Sequence, residues 1–331
     1  MPKLSRLVFW SVLLAATVVA ALWAIGHFAG GYRNLLALAA RLDARHWAVL
    51  VLATAAFYLL DYARLYTLFR VLGVRIPLGT GVQLTCVSYF VTNLTPSAEL
   101  TIPAMVLLLR GKGIPASQTT AVALVKTFYM TTWICVAGFG ALLFSDEVRL
   151  PAALAEHAVL LGTPAVLLIS GFFYVMFFPQ RVLGWKARNR LADGIRHCAA
   201  AISQIGRSSD PMHWLGHASC LAFLGVYVFI GAFVCDALGL PMSAGKAAAA
   251  FSASLLVSYL APVPGGMGVT EVLTAYFIDP AMGEASMVAA TLARFFCWYV
   301  PVLPGALVLF NTLRAVGWRE LFARWQPQTQ R

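Results

Sequence analysis

Two basic side chains lie deep inside apolar stretches of this 331-residue chain, where a charge is costly. Lys126 and Arg294 each fall about 8 residues, or about 12 Å, into a predicted helix. Positive charge at that depth is suited to binding an anion, and arginine can hold a phosphate group through two hydrogen bonds. Two alternatives remain: Arg294 pairs with Glu271, or the Lys126 side chain extends along its aliphatic stem toward the membrane surface.

A segment rich in proline and glycine precedes the acidic candidate, Glu271. Its residues Pro264, Gly265, Gly266 and Gly268 stand just before a predicted half-helix that begins near Glu271. Free backbone amides and the N-terminal end of a helix attract anions, so this segment predicts an anion-binding site. The alternative is that glycine only permits the chain to reverse, while Glu271 caps the half-helix.

Residues in two earlier apolar stretches complete the set of candidates. Asn93 and Pro96 belong to a second interrupted stretch, and we place them in the same binding site. Asp61 and Arg64 lie one helical turn apart in another stretch, which predicts an ion pair with a mainly structural role.

The sequence lacks the motifs of catalysis and cofactor binding. His213 and His217 are spaced like metal ligands, but no third ligand is evident. No phosphate-binding loop, nucleophile elbow or zinc-protease motif occurs. We therefore predict neither an enzyme nor a bound metal or cofactor.

The composition shows what kind of elements must position these residues. The chain is 60% hydrophobic and only 11% charged, whereas soluble domains are about 25% charged. Uninterrupted apolar stretches are long enough to cross a bilayer, so we predict an all-α integral membrane protein with about six transmembrane helices. These stretches lie near 7–29, 47–69, 118–144, 157–178, 213–235 and 286–313.

Two further apolar stretches, about 78–110 and 246–279, are interrupted by proline, asparagine or glycine. A continuous helix is unfavourable there, because proline lacks an amide donor and glycine frees the backbone. We predict two re-entrant helical hairpins, each entering and leaving the membrane on one side. Irregular backbone at that depth must be buried in protein or face a water-filled cavity.

If both interrupted stretches are hairpins, most basic and most acidic loop residues lie on opposite sides of the membrane. The chain has 24 Lys and Arg against 13 Asp and Glu, a net charge of +11. With both termini in the cytoplasm, the basic connector 181–210 is cytoplasmic and most acidic loops are external, as the positive-inside rule predicts. Arg33, Arg41 and Arg45 are exceptions on the outer side. Because the basic residues flank apolar stretches, we do not predict nucleic acid as a partner.

The order of spans and hairpins predicts an inverted repeat within one domain, 1–331. The first repeat covers about 47–144 and the second about 213–313, and both place a cation 30 residues after a proline of the break. Inverted repeats with broken helices are typical of transporters. A weak sequence match supports the repeat: Ala121, Leu124, Lys126 and Phe128 correspond to Ala289, Leu292, Arg294 and Phe296.

The residues of both breaks resemble a known family. The segment Pro262–Glu271 resembles the proline–glycine–glycine–x–glycine–x–x–glutamate signature of the lysylphosphatidylglycerol synthase transmembrane (flippase-like) family, which is related to the flippase domain of multiple peptide resistance factor. Asn93–Ala98 resembles its first-half motif. Arg294, Tyr299, Pro301 and Gly305 resemble the pattern of its last span.

This resemblance implies a bacterial inner-membrane protein in which two re-entrant elements form a path for an anionic or aminoacylated phospholipid. Other relatives are associated with hopanoid or polyprenyl-linked lipids. Where the family often has glycine–glutamate–proline after the first motif, this chain has Thr101, Ile102 and Pro103, so a role for Glu99 does not carry over. Fewer than 20 residues follow Arg314, and we expect no soluble aminoacyl-transfer domain there.

Three functions are therefore considered. The leading hypothesis is a transporter that moves a lipid with an anionic head group between leaflets. The second is a non-transporting accessory subunit that docks a lipid-biosynthesis enzyme through the basic loop 181–207. The third is an intramembrane transferase with Glu271 as its base. A homo-oligomer is compatible with each of them.

Overall fold

The computed structural model describes residues 40–95, 100–144, 158–179, 190–260, 266–281 and 283–316, together with residues 37, 148 and 181. The regular structure in these ranges is helical throughout. The expected first span, 7–29, lies outside the described residues. Several of the residues discussed above also lie outside them, namely Arg33, Pro96, Ala98, Glu99, Pro262, Pro264 and Gly265.

Eleven helices make up the described part of the chain. A first series of four consists of α1 (Ala44–Val71), α2 (Leu78–Leu94), α3 (Thr101–Arg110) and α4 (Ala116–Phe144). Two connecting helices follow, α5 (Ala158–Phe177) and α6 (Arg190–Gly206). The second series consists of α7 (Pro211–Ala237), α8 (Ala244–Leu260), α9 (Val269–Ile278), α10 (Glu284–Arg294), a π-helical turn (Phe295–Tyr299) and α11 (Val302–Val316).

Four of the expected spans are confirmed as helices that are long and apolar enough to cross a membrane. They are α1, α4, α7 and the combined helix Glu284–Thr312. The expected span at 157–178 coincides with α5. Large apolar side chains such as Leu52 and Leu303 point outward, which suits a surface that faces lipid. The described residues therefore belong to a helical membrane protein.

Both apolar stretches that contain a break are interrupted, as predicted. In the first, α2 ends at Leu94 and α3 begins at Thr101. In the second, α8 ends at Leu260 and α9 begins at Val269. Gly268 precedes α9 with a φ of +79°, a left-handed conformation that glycine adopts without the steric cost of a Cβ.

The two helix series repeat nearly the same helix lengths in the same order. The first has helices of 28, 17, 10 and 29 residues, and the second has helices of 27, 17 and 10 residues followed by the 29-residue Glu284–Thr312. The packing also repeats with the two series exchanged. The helix α1 packs along α7, while α2 packs on α11 and α4 packs on α8.

Equivalent glycines allow the closest of these approaches. A Cβ on Gly138 of α4 would lie 2.8 Å from the Leu256 Cβ of α8. A Cβ on Gly305 of α11 would overlap the carbonyl oxygen of Cys86 and lie 2.8 Å from the Phe90 Cβ, both on α2. Each series therefore packs its last helix on the second helix of the other series through a glycine contact.

We predict that Gly305→Ala destabilises the protein by about 1–3 kcal/mol, because the new methyl group has backbone rather than a flexible side chain against it. The matched control is Gly225→Ala on α7, where nothing lies within 4 Å of the new Cβ. Alanine favours a helix there by up to about 1 kcal/mol. Thermal unfolding of both variants in detergent should therefore shift in opposite directions, and equal shifts would contradict the close packing.

Candidate functional site

The first cluster of buried charge lies between α1 and α4 and contains Asp61, Arg64 and Lys126; it is called the Asp61 cluster below. The Lys126 Nζ donates a hydrogen bond of 2.7 Å to the Asp61 Oδ2. The Arg64 Nη2 donates to the Asp61 Oδ1, which confirms the predicted pair one helical turn apart. The Lys126 side chain therefore ends in an ion pair with Asp61.

Aromatic packing holds the Arg64 guanidinium in place. Its Cζ lies 3.9 Å from the ring centroid of Phe223, and this ring stacks on Phe57 at 4.1 Å. The exposed fraction of Arg64 is only 5%. Its Nε and Nη1 have no hydrogen-bond partner among the described residues. Cation–π packing stabilises the charge, but two donors stay unsatisfied.

The second cluster lies where α9 begins and α10 ends, and it contains Glu271, Arg294 and Tyr299; it is called the Glu271 cluster below. The Glu271 Oε1 accepts a 2.7 Å hydrogen bond from the Tyr299 hydroxyl and lies 3.7 Å from the Arg294 Nε. The Glu271 Oε2 accepts a 2.8 Å hydrogen bond from the Gly268 amide. The sequence-based alternatives of an Arg294–Glu271 pair and of a capping Glu271 are thus both observed.

The π-helical turn brings the side chains of Trp298 and Tyr299 to Arg294. The Val300 amide bonds to the Phe295 carbonyl oxygen five residues earlier, so the turn is wider than an α-helical one. The Trp298 ring lies 4.7 Å from the Arg294 Cζ, while Tyr299 reaches Glu271. Sequence analysis did not detect the π turn, although π-helical turns often occur at functional sites.

Asn93 connects the first break to this second cluster. Its Nδ2 donates to the Tyr89 carbonyl oxygen at 2.8 Å and to the Trp298 carbonyl oxygen at 3.4 Å. The structure therefore brings together four of the predicted site residues, Asn93, Gly268, Glu271 and Arg294. It places Lys126 apart from them, in the Asp61 cluster.

Hydroxyl groups fix the second break just before Glu271. The Thr270 hydroxyl donates to the Gly266 carbonyl oxygen at 2.8 Å and lies 2.6 Å from the Ser258 hydroxyl. A Cβ on Gly266 would lie 2.9 Å from the Thr270 Oγ1, so a larger residue would disturb this contact. The predicted site residue Gly266 thus anchors the end of α8 to the start of α9.

An aromatic row joins the two clusters. Arg64 packs on Phe223, Phe223 on Phe57, and the Phe57 ring lies 5.8 Å from Trp298, which packs on Arg294. The row crosses from the first helix series to the second. Sequence analysis missed it because its members come from three distant segments of the chain.

We predict that Tyr299→Phe lowers stability by about 1.5–3 kcal/mol, since it removes a hydrogen bond to a buried carboxylate. The control is Tyr174→Phe on α5, where the side chain is largely exposed. Thermal unfolding in detergent measures both, and an equal effect of the two changes would contradict the role assigned to Tyr299.

The two predicted histidines pack against aromatic residues of α4. The Trp133 Nε1 donates to the His217 Nδ1 at 3.3 Å, and the Tyr129 hydroxyl lies 3.4 Å from the His213 Nδ1. The part of the chain that the structure describes contains no group of three or more side chains suited to hold a metal ion.

Together, these features define a multi-spanning α-helical membrane protein with one buried charged cluster in each of two helix series. A family model described as the lysylphosphatidylglycerol synthase TM region matches residues 7–305. The chain belongs to this family, which confirms the resemblance seen in its breaks and indicates a role related to membrane lipids. No curated protein and no solved structure matches the chain.

Proposed function

We propose that this protein moves a lipid with an anionic head group between the leaflets of a bacterial inner membrane and catalyses no covalent reaction. The observation that supports this most is the Glu271 cluster. A buried carboxylate and a buried guanidinium lie directly beside the glycine break, in a protein of a lipid-related membrane family. Buried ionisable groups in a membrane protein mark substrate pathways.

The helix lengths support two re-entrant hairpins in an inverted repeat. The helices α2 and α8 are about 25 Å long and α3 and α9 about 15 Å, whereas the hydrocarbon core is about 30 Å thick. In the proposed topology the first hairpin opens to the cytoplasm and the second to the outside, with both termini cytoplasmic. The exchanged packing of the two helix series is the pattern that a two-fold axis in the membrane plane produces.

The proposed mechanism exchanges one ion pair for another. The Arg294 Nε lies 3.7 Å from the Glu271 Oε1, longer than a direct hydrogen bond, while Tyr299 and Gly268 hold the carboxylate. An entering anionic head group competes with Glu271 for Arg294. The charge of Arg294 stays balanced during this exchange, the Glu271 carboxylate keeps its hydrogen bonds from Tyr299 and Gly268, and the acyl chains remain in lipid.

The net positive charge of the Asp61 cluster and the guanidinium of Arg294 favour an anionic head group within the set of lipids that the family resemblance implies. We propose an anionic or aminoacylated phospholipid as the substrate, with a hopanoid or polyprenyl-linked lipid as the alternative. Arg294 provides planar, charged donors that match phosphate oxygens. A homo-oligomer is compatible with this arrangement.

Lipid transfer in vesicles tests the proposal. The purified full chain is reconstituted with fluorescent phosphatidylglycerol, and transfer is followed by quenching of the outer leaflet. We expect Arg294→Ala and Glu271→Gln to slow transfer about tenfold or more, because each removes a charged partner. Arg75→Gln, at an exposed loop position, is the control and should transfer like the unchanged protein. Transfer no faster than in protein-free vesicles, for every lipid tried, would overturn the proposal.

The surface of α6 supports a second candidate function, an accessory subunit that docks a lipid-biosynthesis enzyme. This helix buries Ile202 and Ile205, exposes Asp193 on its other side, and is followed by the exposed Arg207. Neutralising the basic residues within 181–207 separates the two functions. A docking subunit should lose function in cells, whereas a transporter should be affected more by Arg294→Ala.

A further inference from the structure

We infer that the Asp61 cluster is a binding site for a singly charged phosphodiester head group. This inference rests on the proposed function and narrows its substrate class. It also assigns a binding role to Arg64, for which the sequence predicted a mainly structural one.

The charges of the two clusters differ. In the Glu271 cluster one guanidinium faces one carboxylate. In the Asp61 cluster two cations, Arg64 and Lys126, share a single carboxylate. Among the residues that the structure describes, no second carboxylate pairs with either cation. One positive charge is therefore left over in a region of low dielectric, where an uncompensated ion is strongly unfavourable.

The hydrogen-bonding capacity of Arg64 is also only partly used. Its buried Nε and Nη1 have no hydrogen-bond partner in the described ranges, and the Cys220 thiol beside them is only a weak acceptor. The N–H groups of the guanidinium lie in its plane, so Phe223, which covers one face, leaves them free to form new hydrogen bonds. Phosphate oxygens are acceptors that suit this planar group.

Lys126 provides the approach to the cluster. Its side chain is 15% exposed, against 6% for Arg64 and 1% for Asp61. An anion that arrives from the membrane interior therefore meets Lys126 first and then the unsatisfied donors of Arg64. Asp61 holds both cations in position during this step.

The charge of the ligand follows from the single excess positive charge. A phosphodiester has one negative charge and balances it. A phosphomonoester has about 1.5 to 2 negative charges near neutral pH and would leave the site negative. The choline of a zwitterionic head group would bring its own positive charge to two cations. We therefore expect a preference for phosphatidylglycerol-type head groups.

A binding experiment that does not depend on transport tests this inference. Thermal unfolding of the full chain in detergent is measured with short-chain phosphatidylglycerol, phosphatidylcholine and phosphatidic acid, and with diethyl phosphate as a soluble phosphodiester. We expect phosphatidylglycerol to bind about tenfold or more tightly than the other two lipids. Stabilisation by diethyl phosphate alone would assign the site to a soluble anion, and no preference among the lipids would overturn the inference.

Two variants test whether the preference for phosphatidylglycerol arises at the Asp61 cluster. Neither leaves a buried charge without a partner. Lys126→Gln leaves the Asp61–Arg64 pair, and Arg64→Gln leaves the Asp61–Lys126 pair. Each makes the cluster neutral, so each should abolish the preference for phosphatidylglycerol. Arg64→Lys keeps the charge but loses the planar donors, so it should retain only part of the preference, while Arg75→Gln is the exposed control. A preference unchanged in both neutral variants would place the head group elsewhere.

The outcomes separate this inference from the proposed function. If the unchanged protein transfers all lipids at equal rates and shows no binding preference, the transporter proposal stands and the phosphodiester site fails. If it transfers none but binds phosphatidylglycerol through Arg64 and Lys126, the site stands and transport fails.

Discussion

Arg294→Met is expected to lower the stability of the folded protein by about 3–5 kcal/mol, because it leaves a buried carboxylate without its cation. The exposed fraction of Glu271 is 1%, so water cannot replace the guanidinium. Methionine keeps most of the volume and the apolar stem of the side chain, so the main losses are the charge and the packing of the guanidinium on Trp298. Thermal and chemical unfolding in detergent measure the change.

Two further variants show whether the loss comes from the pair. In the double variant Arg294→Met with Glu271→Gln no charge remains; the Gly268 amide can keep the glutamine oxygen as its acceptor, and the Tyr299 hydroxyl can accept from the glutamine NH2 group. We expect it to recover most of the stability. Arg110→Met, at an exposed position in the last turn of α3, should change little. Equal losses in the single and double variants would contradict the ion pair.

The spans and breaks were predictable because they depend on local composition. Apolar stretches of sufficient length at 47–69, 118–144, 213–235 and 286–313 become helices in a solvent that cannot hydrogen-bond the backbone. The helix ends at Leu94 and Leu260 follow from the nearby proline and glycine residues. These signals require no knowledge of which helices touch.

The partners of the buried charges were only partly predictable. The Asp61–Arg64 pair follows from helical spacing, and the Glu271–Arg294 pair was one of two open alternatives. The bond between Lys126 and Asp61 joins residues 65 positions apart, so it depends on how α4 packs against α1. Helical periodicity in spans that are apolar all round does not indicate which face meets a neighbour.

The equivalent cations of the two helix series, Lys126 and Arg294, pair with carboxylates at different places in their series. Lys126 of α4 takes its carboxylate from α1, the first helix of its series, whereas Arg294 takes its carboxylate from α9, after the glycine break. Of these two carboxylates, only Glu271 follows residues with a positive φ, which are Gly266 and Gly268. This difference leaves the Glu271 cluster balanced and the Asp61 cluster positive, so an anion can use them for different steps.

The Asp61 cluster provides the second large effect. Asp61→Asn is expected to lower stability by about 3–5 kcal/mol, because Arg64 and Lys126 would then be two buried cations without a carboxylate. Asparagine is nearly the same size as aspartate, so packing changes little. Removing one cation instead should cost much less, since Lys126→Gln leaves Asp61 paired with Arg64.

A double variant distinguishes charge repulsion from a loss of hydrogen bonds. Adding Lys126→Gln to Asp61→Asn removes the repulsion between two cations, while Arg64 keeps its packing on Phe223. Its stability should therefore exceed that of Asp61→Asn alone, and lipid vesicles containing phosphatidylglycerol should rescue Asp61→Asn more than neutral vesicles do. If the double variant unfolds at the same temperature as Asp61→Asn in both kinds of vesicle, the repulsion between the two cations has no energetic role.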